Sequence, residues 1–335
     1  MTQASFNFDA PLEDEVDVPS AVAPANTPAH AVDFEALART LEAHPDFRVL
    51  RRLVPIMDFG PRPLSAVDAG VQRVLVLDTE TTGLQHRSDK IIELAMLLVQ
   101  MDTATGLPFG PVTVFEGFED PGMPIPAVAQ QVTGINDDMV KGQRLDDAQV
   151  AALVAQADLV VAHNAGFDRP FVEARFPGFA EKAWACSFAD IDWKAAGAGS
   201  SKLSSLAQDQ GWFYDAHRAQ VDCHALLQVL TRPVGSDART GLALLWAAAA
   251  SPSFKLRATG SPFESKDLLK ERGYRWDADA RVWACTLTTA EQLDAELQWL
   301  KDAVYGRRSA RLEVEEQDSR VRYSSRSGLL SERAL

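Results

Sequence analysis

The chain has 335 residues, 46% hydrophobic and 24% charged, with a net charge of −14 at pH 7. These proportions are ordinary for globular proteins, so wholesale disorder and collagen-like repeats are excluded, and the length suggests roughly two domains. There is no apolar run of about 18 residues and no basic-then-apolar N-terminal segment, so neither a spanning helix nor a secretory leader is expected. Cys186, Cys223 and Cys285 form no CxxC pair. That argues against a disulfide framework or structural zinc and for a reducing, cytoplasmic compartment. The charge is uneven: residues 1–50 carry nine acids and two bases, whereas 255–281 carry seven bases against five acids. Total charge is therefore a poor guide to partners.

Residues 1–31, rich in Pro, Ala and acid, read as a disordered acidic extension. Phe34, Leu37 and Leu41, then Phe47, Leu50 and Leu53, recur at helical spacing. Segment 32–70 is thus expected to be a helical lead-in over about 32–54 and a linker at Pro61-Arg62-Pro63. The apolar run at 74–78 ends in a carboxylate, as a buried strand with chemistry at its end would. Strands at 91–100 and 111–118 follow through short connections containing Gly83 and Gly106, which predicts an antiparallel meander. A fourth strand at 157–164 and helices near 147–156, 166–175, 203–210 and 218–231 make 71–235 a mixed α/β sheet flanked by helices. A connecting helix is expected within 236–251 and a small α+β module rich in Trp and bases over 252–306. The polar, Ser- and Arg-rich tail at 307–335 reads as disordered, because its acids and bases interleave.

Three motifs carry chemistry. Asp78-Thr79-Glu80 places two carboxylates at i and i+2 of a strand, on one face. Such a pair is costly unless neutralised, and a hard divalent cation such as Mg²⁺ or Mn²⁺ is the natural occupant. Taken alone, it reads as a solvated strand end. His163-Asn164-Ala165-Gly166-Phe167-Asp168 joins the fourth strand to a helix, where Asp168 either caps the helix or faces the strand end. His217 and Asp222 would diverge by about 140° on one helix. They converge only if His217 lies in the entry loop and Asp222 in the early turns. A histidine there can deprotonate water near neutral pH. His224 is a weaker alternative.

In order, DxE, D and HxxxxD resemble the DEDDh group of DnaQ-like 3′–5′ exonucleases, close to the proofreading exonucleases of the DNA polymerase III epsilon type. The resemblance covers about 73–232 and includes VTGI (132–135) and KLSSLAQDQG (202–211). The sister group carries a tyrosine at the position of Arg218, so the histidine branch is indicated. The resemblance implies a ribonuclease-H-like sheet and a two-metal mechanism releasing nucleoside 5′-monophosphates. It makes Asp78, Glu80, Asp168 and Asp222 the metal ligands and His217 the general base. It also places Thr81, Thr82, Gly83, Leu84, Asn164 and Phe167 beside the terminal nucleotide.

DNA is the expected substrate, in proofreading or repair. RNA hydrolysis or a nucleic-acid-binding accessory role is the alternative. Within 252–306, Tyr274, Trp276 and Trp283 read first as the core of a small unit; a base-stacking surface is the other reading. Finally, Gln3-Ala4-Ser5-Phe6-Asn7-Phe8 resembles the short peptides with which bacterial polymerase and repair proteins engage the sliding clamp. That suggests a clamp, and through it a DNA polymerase, as partner.

Overall fold

The computed structural model describes residues 32–64, 70–278, 280–306 and 308–335. The acidic extension and its Gln3–Phe8 peptide lie outside the described residues. The chain divides into two compact units, 1–49 and 50–335. In the first, α1 (Phe34–Glu42) starts at Asp33, whose carboxylate accepts the Ala36 N–H at 3.0 Å. It stops well short of the expected residue 54. Pro45 pushes His44 out of helical backbone geometry, and residues 47–50 follow without helix.

The second unit opens with β1 (Arg51–Arg52) and then the meander of β2 (Val71–Thr81), β3 (Ile91–Asp102) and β4 (Pro108–Phe118). Two short helices, α2 (Ala127–Thr133) and α3 (Asp137–Val140), precede α4 (Asp147–Gln156), β5 (Leu159–Ala162), α5 (Ala165–Arg175) and β6 (Ala183–Cys186). Next come α6 (Leu203–Asp209), β7 (Trp212–Phe213), which pairs in parallel with β1, and α7 (Ala219–Leu230). The sheet runs β4-β3-β2-β5-β6, antiparallel across β4, β3 and β2 and parallel from β2 to β6. This is the expected ribonuclease-H-like mixed sheet. β6, α2 and α3 were not foreseen, since segments of four to seven residues carry too little periodicity.

Strand alternation divides the core. Val74 and Val76 of β2 pack with Cys223, Leu226 and Leu230 of α7, while Leu75 and Leu77 pack with Leu153 of α4 and Phe171 of α5. The same alternation, continued two residues further, decides where the carboxylates go.

Beyond α7, the hairpin of β8 (Pro233–Val234) and β9 (Asp237–Thr240) leads into α8 (Gly241–Ala250), the expected connecting helix. A second sheet follows from β10 (Ser253–Arg257), β11 (Arg275–Asp277), β12 (Val282–Leu287), β13 (Arg311–Gln317) and β14 (Leu329–Ala334), with α9 (Lys266–Glu271) and α10 (Ala290–Trp299). Its order is β11-β12-β10-β13-β14, antiparallel throughout.

The expectation of a disordered tail at 307–335 is therefore corrected. Leu312 and Val314 are buried in the same core as Tyr274. The acids that suggested solvation instead pair in register: Arg257 reaches Glu313 and Glu315, each at 2.6 Å.

Between β13 and β14 the chain straps back onto the first sheet. The fully buried Arg169 guanidinium donates to the carbonyls of Ser319 (3.2 Å), Arg322 (2.6 Å) and Arg320, and to Glu173 at 2.6 Å. The Trp184 N–H of edge strand β6 donates to Ser319 O at 2.8 Å, so the strap also covers an open strand edge. Arg322 and Tyr323 both reach the Asp190 carboxylate. We predict that Arg169→Met costs about 2 kcal/mol or more, because it leaves the Arg322 carbonyl without a donor and removes charged hydrogen bonds to Ser319, Arg320 and Glu173, which keep only Trp184 or Arg326 as donors. Urea unfolding checks this; a loss below about 1 kcal/mol would show that the strap docks independently of Arg169.

Candidate active site

Asp78 and Glu80 continue the α7-facing row of β2 begun by Val74 and Val76. Thr79 continues the opposite row toward α5. Asp222 lies in the first turn of α7 and meets the first row. Carboxylate oxygens of Asp78, Glu80 and Asp222 all lie within 4.8 Å of one another. Asp168, in the first turn of α5, comes from the other side, and its Oδ1 accepts from Thr79 N (3.1 Å) and Thr79 Oγ1 (2.8 Å). The strand end is thus clasped by one carboxylate from each flanking helix. The pairing of β2 with β3 also shifts register between Glu80 and Thr81, a bulge at the site's edge.

The entry to α7 is built as the sequence required for convergence. His217 sits in the preceding loop with φ +69°, and its N–H donates to Asp222 Oδ2 at 2.8 Å. The Arg218 N–H donates to the same oxygen at 3.1 Å. Those bonds hold a backbone conformation that a non-glycine residue seldom adopts. Asn164, at φ +78°, makes the corresponding turn into α5. Between these turns opens a cavity of about 640 Å³, lined by Asp78, Glu80, Asp168, Asp222 and His217 together with Asn164 and Phe167.

Not every expected residue lines it. Thr81 Oγ1 donates to Gly83 O (2.6 Å), and Thr82 Oγ1 accepts from Lys90 N (3.0 Å), so both hydroxyls serve the turn after β2. A Cβ on Gly83 would stand 2.6 Å from the Asp89 carboxylate, which explains the glycine. Leu84 is exposed beyond that turn. His224 is buried in α7, away from the cavity. His163 lines the wall and bonds Ser187 through Nδ1 at 2.7 Å; burial pushes its pKa down to about 4, so it is neutral.

Sequence reasoning missed several contributors. Tyr214 donates to Asp222 Oδ1 at 3.1 Å, and Phe188 and Lys202 complete the cavity wall. Glu93 is fully buried on β3 opposite Glu80. Arg218 pairs with it at 2.9 Å, and its carboxylate also accepts the Ala219 N–H at 3.0 Å, fixing the start of α7. A lone Glu inside the apolar run 91–99 was the available signal.

Electrostatically the four carboxylates are crowded and poorly neutralised. Burial, then the neighbouring Asp168, Asp222 and Glu80, push Asp78 well above the carboxylate range. Burial and Asp222 push Glu80 up to about 8, and burial pushes Asp168 up to about 7 despite its bonds from Thr79. Asp222 is raised by burial too. The nearby Arg218 is committed to Glu93. Oxygen donors so close together and so poorly neutralised fit a hard divalent cation.

The exonuclease family model, of the ribonuclease T type, matches residues 75–230. PolC-type DNA polymerase III of Listeria monocytogenes is 39% identical over 103 residues, which is 30% of this chain and 7% of that protein. Its Bacillus subtilis counterpart is 34% identical over 108 residues, again 30% and 7%. The chain thus spans only a small part of the length of these relatives. Among solved structures, exonuclease I has a TM-score of 0.46 at 13% identity, covering 69% of this chain and 71% of that one. Residues 75–230 are a DnaQ-like 3′–5′ exonuclease domain.

Proposed function

We propose that the chain hydrolyses single-stranded or frayed DNA 3′ ends to nucleoside 5′-monophosphates, in proofreading or repair. The observation that carries this reading is the Asp78, Glu80 and Asp222 group, whose oxygens converge within 4.8 Å in an open cavity. Asp78, Glu80, Asp222 and Asp168 are the residues that would hold two divalent cations, Mg²⁺ or Mn²⁺. Bound there, such ions would neutralise the carboxylates, acidify a water and offset charge on the leaving 3′ oxygen.

The chain's own groups supply the rest. The exposed His217 ring makes no hydrogen bond to the described residues and is free to take the proton of the attacking water. Tyr214 and the two loop N–H groups hold Asp222 in place. Phe167, Phe188 and Asn164 offer the wall on which a terminal base and sugar rest. The choice of DNA follows the DNA polymerase relatives. A clamp contact through Gln3–Phe8, association with a polymerase and a cytoplasmic setting belong to the same proposal; the three free cysteines suit the last.

End-labelled DNA oligomers test the reading. The wild-type chain should release mononucleotides stepwise from the 3′ end in Mg²⁺ or Mn²⁺ and none in EDTA. Asp78→Asn should lower the rate about 10³-fold or more. His217→Gln should lower it about 10²-fold while metal affinity stays near wild type. Cleavage in EDTA, or undiminished by Asp78→Asn, would refute the metal-dependent assignment.

Stability should also depend on pH in a defined direction. In the metal-free protein Glu80 and Asp168 titrate near 8 and 7, above their unfolded values of 4.5 and 3.8. The folded state therefore holds more protons, and its stability falls as pH rises from about 4.5 through 8. The melting temperature should drop across that window, Mg²⁺ at pH 8 should offset the drop, and Glu80→Gln should flatten it. A wild-type curve no steeper than that of Glu80→Gln would contradict this.

A further inference from the structure

The second sheet carries aromatic side chains that its own core does not use. Tyr274 is fully buried, and Trp283 packs against the core of Leu256, Leu269 and Leu312. Trp276 does neither. It stands on edge strand β11, 52% exposed, opposite Trp283 in register and edge-on to it at 5.7 Å. Reading Trp276 as a core residue is thus corrected: an edge strand has no neighbouring strand to cover that indole. Phe263, just before α9, is 77% exposed. Together with Pro262 and Trp283, these two rings line a cavity of about 350 Å³, within the range of small-molecule pockets (~300–1,000 Å³).

Two cations complete this surface. Lys266 Nζ stands 4.7 Å over the Phe263 ring, and Arg281 lines the same cavity. Three other bases of this unit are used internally: Lys255 pairs with Asp277, Arg257 with Glu313 and Glu315, and Arg272 with Glu296. Lys266 and Arg281 have no carboxylate partner among the described residues. Exposed ring faces flanked by unpaired positive charge match the two repeating features of a single nucleic-acid strand, flat bases and phosphates. An acidic peptide would use the cations but gives the indole no flat partner.

We propose that this surface, around Trp276, Phe263, Lys266 and Arg281, is a second binding site for single-stranded DNA, distinct from the carboxylate cavity and without chemistry of its own. A base stacks on Trp276, and phosphates pair with Lys266 and Arg281. The site retains the body of a strand whose 3′ end is being shortened. The choice of DNA rests on the proposed nuclease function; the binding geometry does not.

The test uses the full chain and labelled oligothymidylate of about 15 nucleotides, with anisotropy measured in EDTA so that the strand stays intact. The wild-type chain should bind and its tryptophan emission should be quenched. Trp276→Ala should weaken binding about 10-fold and remove most of the quenching. Lys266→Gln with Arg281→Gln should make the plot of log affinity against log salt shallower by about 1.4, the share of two phosphates on a single strand. Both variants should hydrolyse a thymidine dinucleotide in Mg²⁺ at the wild-type rate. Unchanged affinity and quenching in both variants, or binding of polyglutamate in preference to the oligomer, would overturn the proposal. Failure of the wild-type chain to hydrolyse the dinucleotide would overturn the nuclease reading instead and leave the binding result to stand by itself.

Discussion

Repulsion among four carboxylates at one strand end is the constraint around which this fold is arranged. Asp78, Glu80, Asp168 and Asp222 are held where burial and mutual proximity favour their protonated forms. A protein that merely needed stability would not gather them. Much of the local architecture serves to keep them there. β2 lies in the middle of the sheet, and its end at Asp78–Glu80 stays paired with β3. Glu93 neutralises Arg218 and caps the start of α7. Arg218 is thereby left to offset the charge of Glu80 only in part.

The alternation of β2 then distributes the work. One row brings Asp78 and Glu80 toward α7, and the intervening Thr79 turns to α5 to bind Asp168. Asp168 is therefore positioned by the strand it serves, and Arg169, the next residue, anchors the strap from the second sheet. The helix that carries a site carboxylate is tied one residue later to a segment 150 positions away. Catalytic geometry and the C-terminal architecture thus meet on α5, which is why residues 50–335 behave as one compact unit.

What could be read from the sequence was local. The period of two puts Asp78 and Glu80 on one face whatever surrounds them, and the apolar run before them marks a buried strand. The convergence of His217 and Asp222 was readable as a condition, a loop followed by an early turn, and the positive φ at His217 meets it. Long-range pairing was not readable. The arginines and glutamates of 307–335 resemble a solvated tail until Arg257 and Arg169, far away in sequence, are brought beside them. Trp276 and Trp283 look equivalent in the chain; only the sheet order shows that Trp283 lies on an inner strand against the core and Trp276 on an open edge strand. Thr81 and Thr82 illustrate a subtler limit, since a motif position does not reveal whether a hydroxyl is free or spent on a turn.

If the crowded carboxylates are a cation site, a divalent ion must displace protons when it binds. Calorimetric titration of Mn²⁺ into the full chain near pH 7, repeated in buffers of different ionisation enthalpy, measures that displacement directly. Binding accompanied by proton release, with both strongly reduced in Glu80→Gln and Asp222→Asn, is the predicted result. Mn²⁺ binding that releases no protons, or that survives unchanged in both variants, would contradict it.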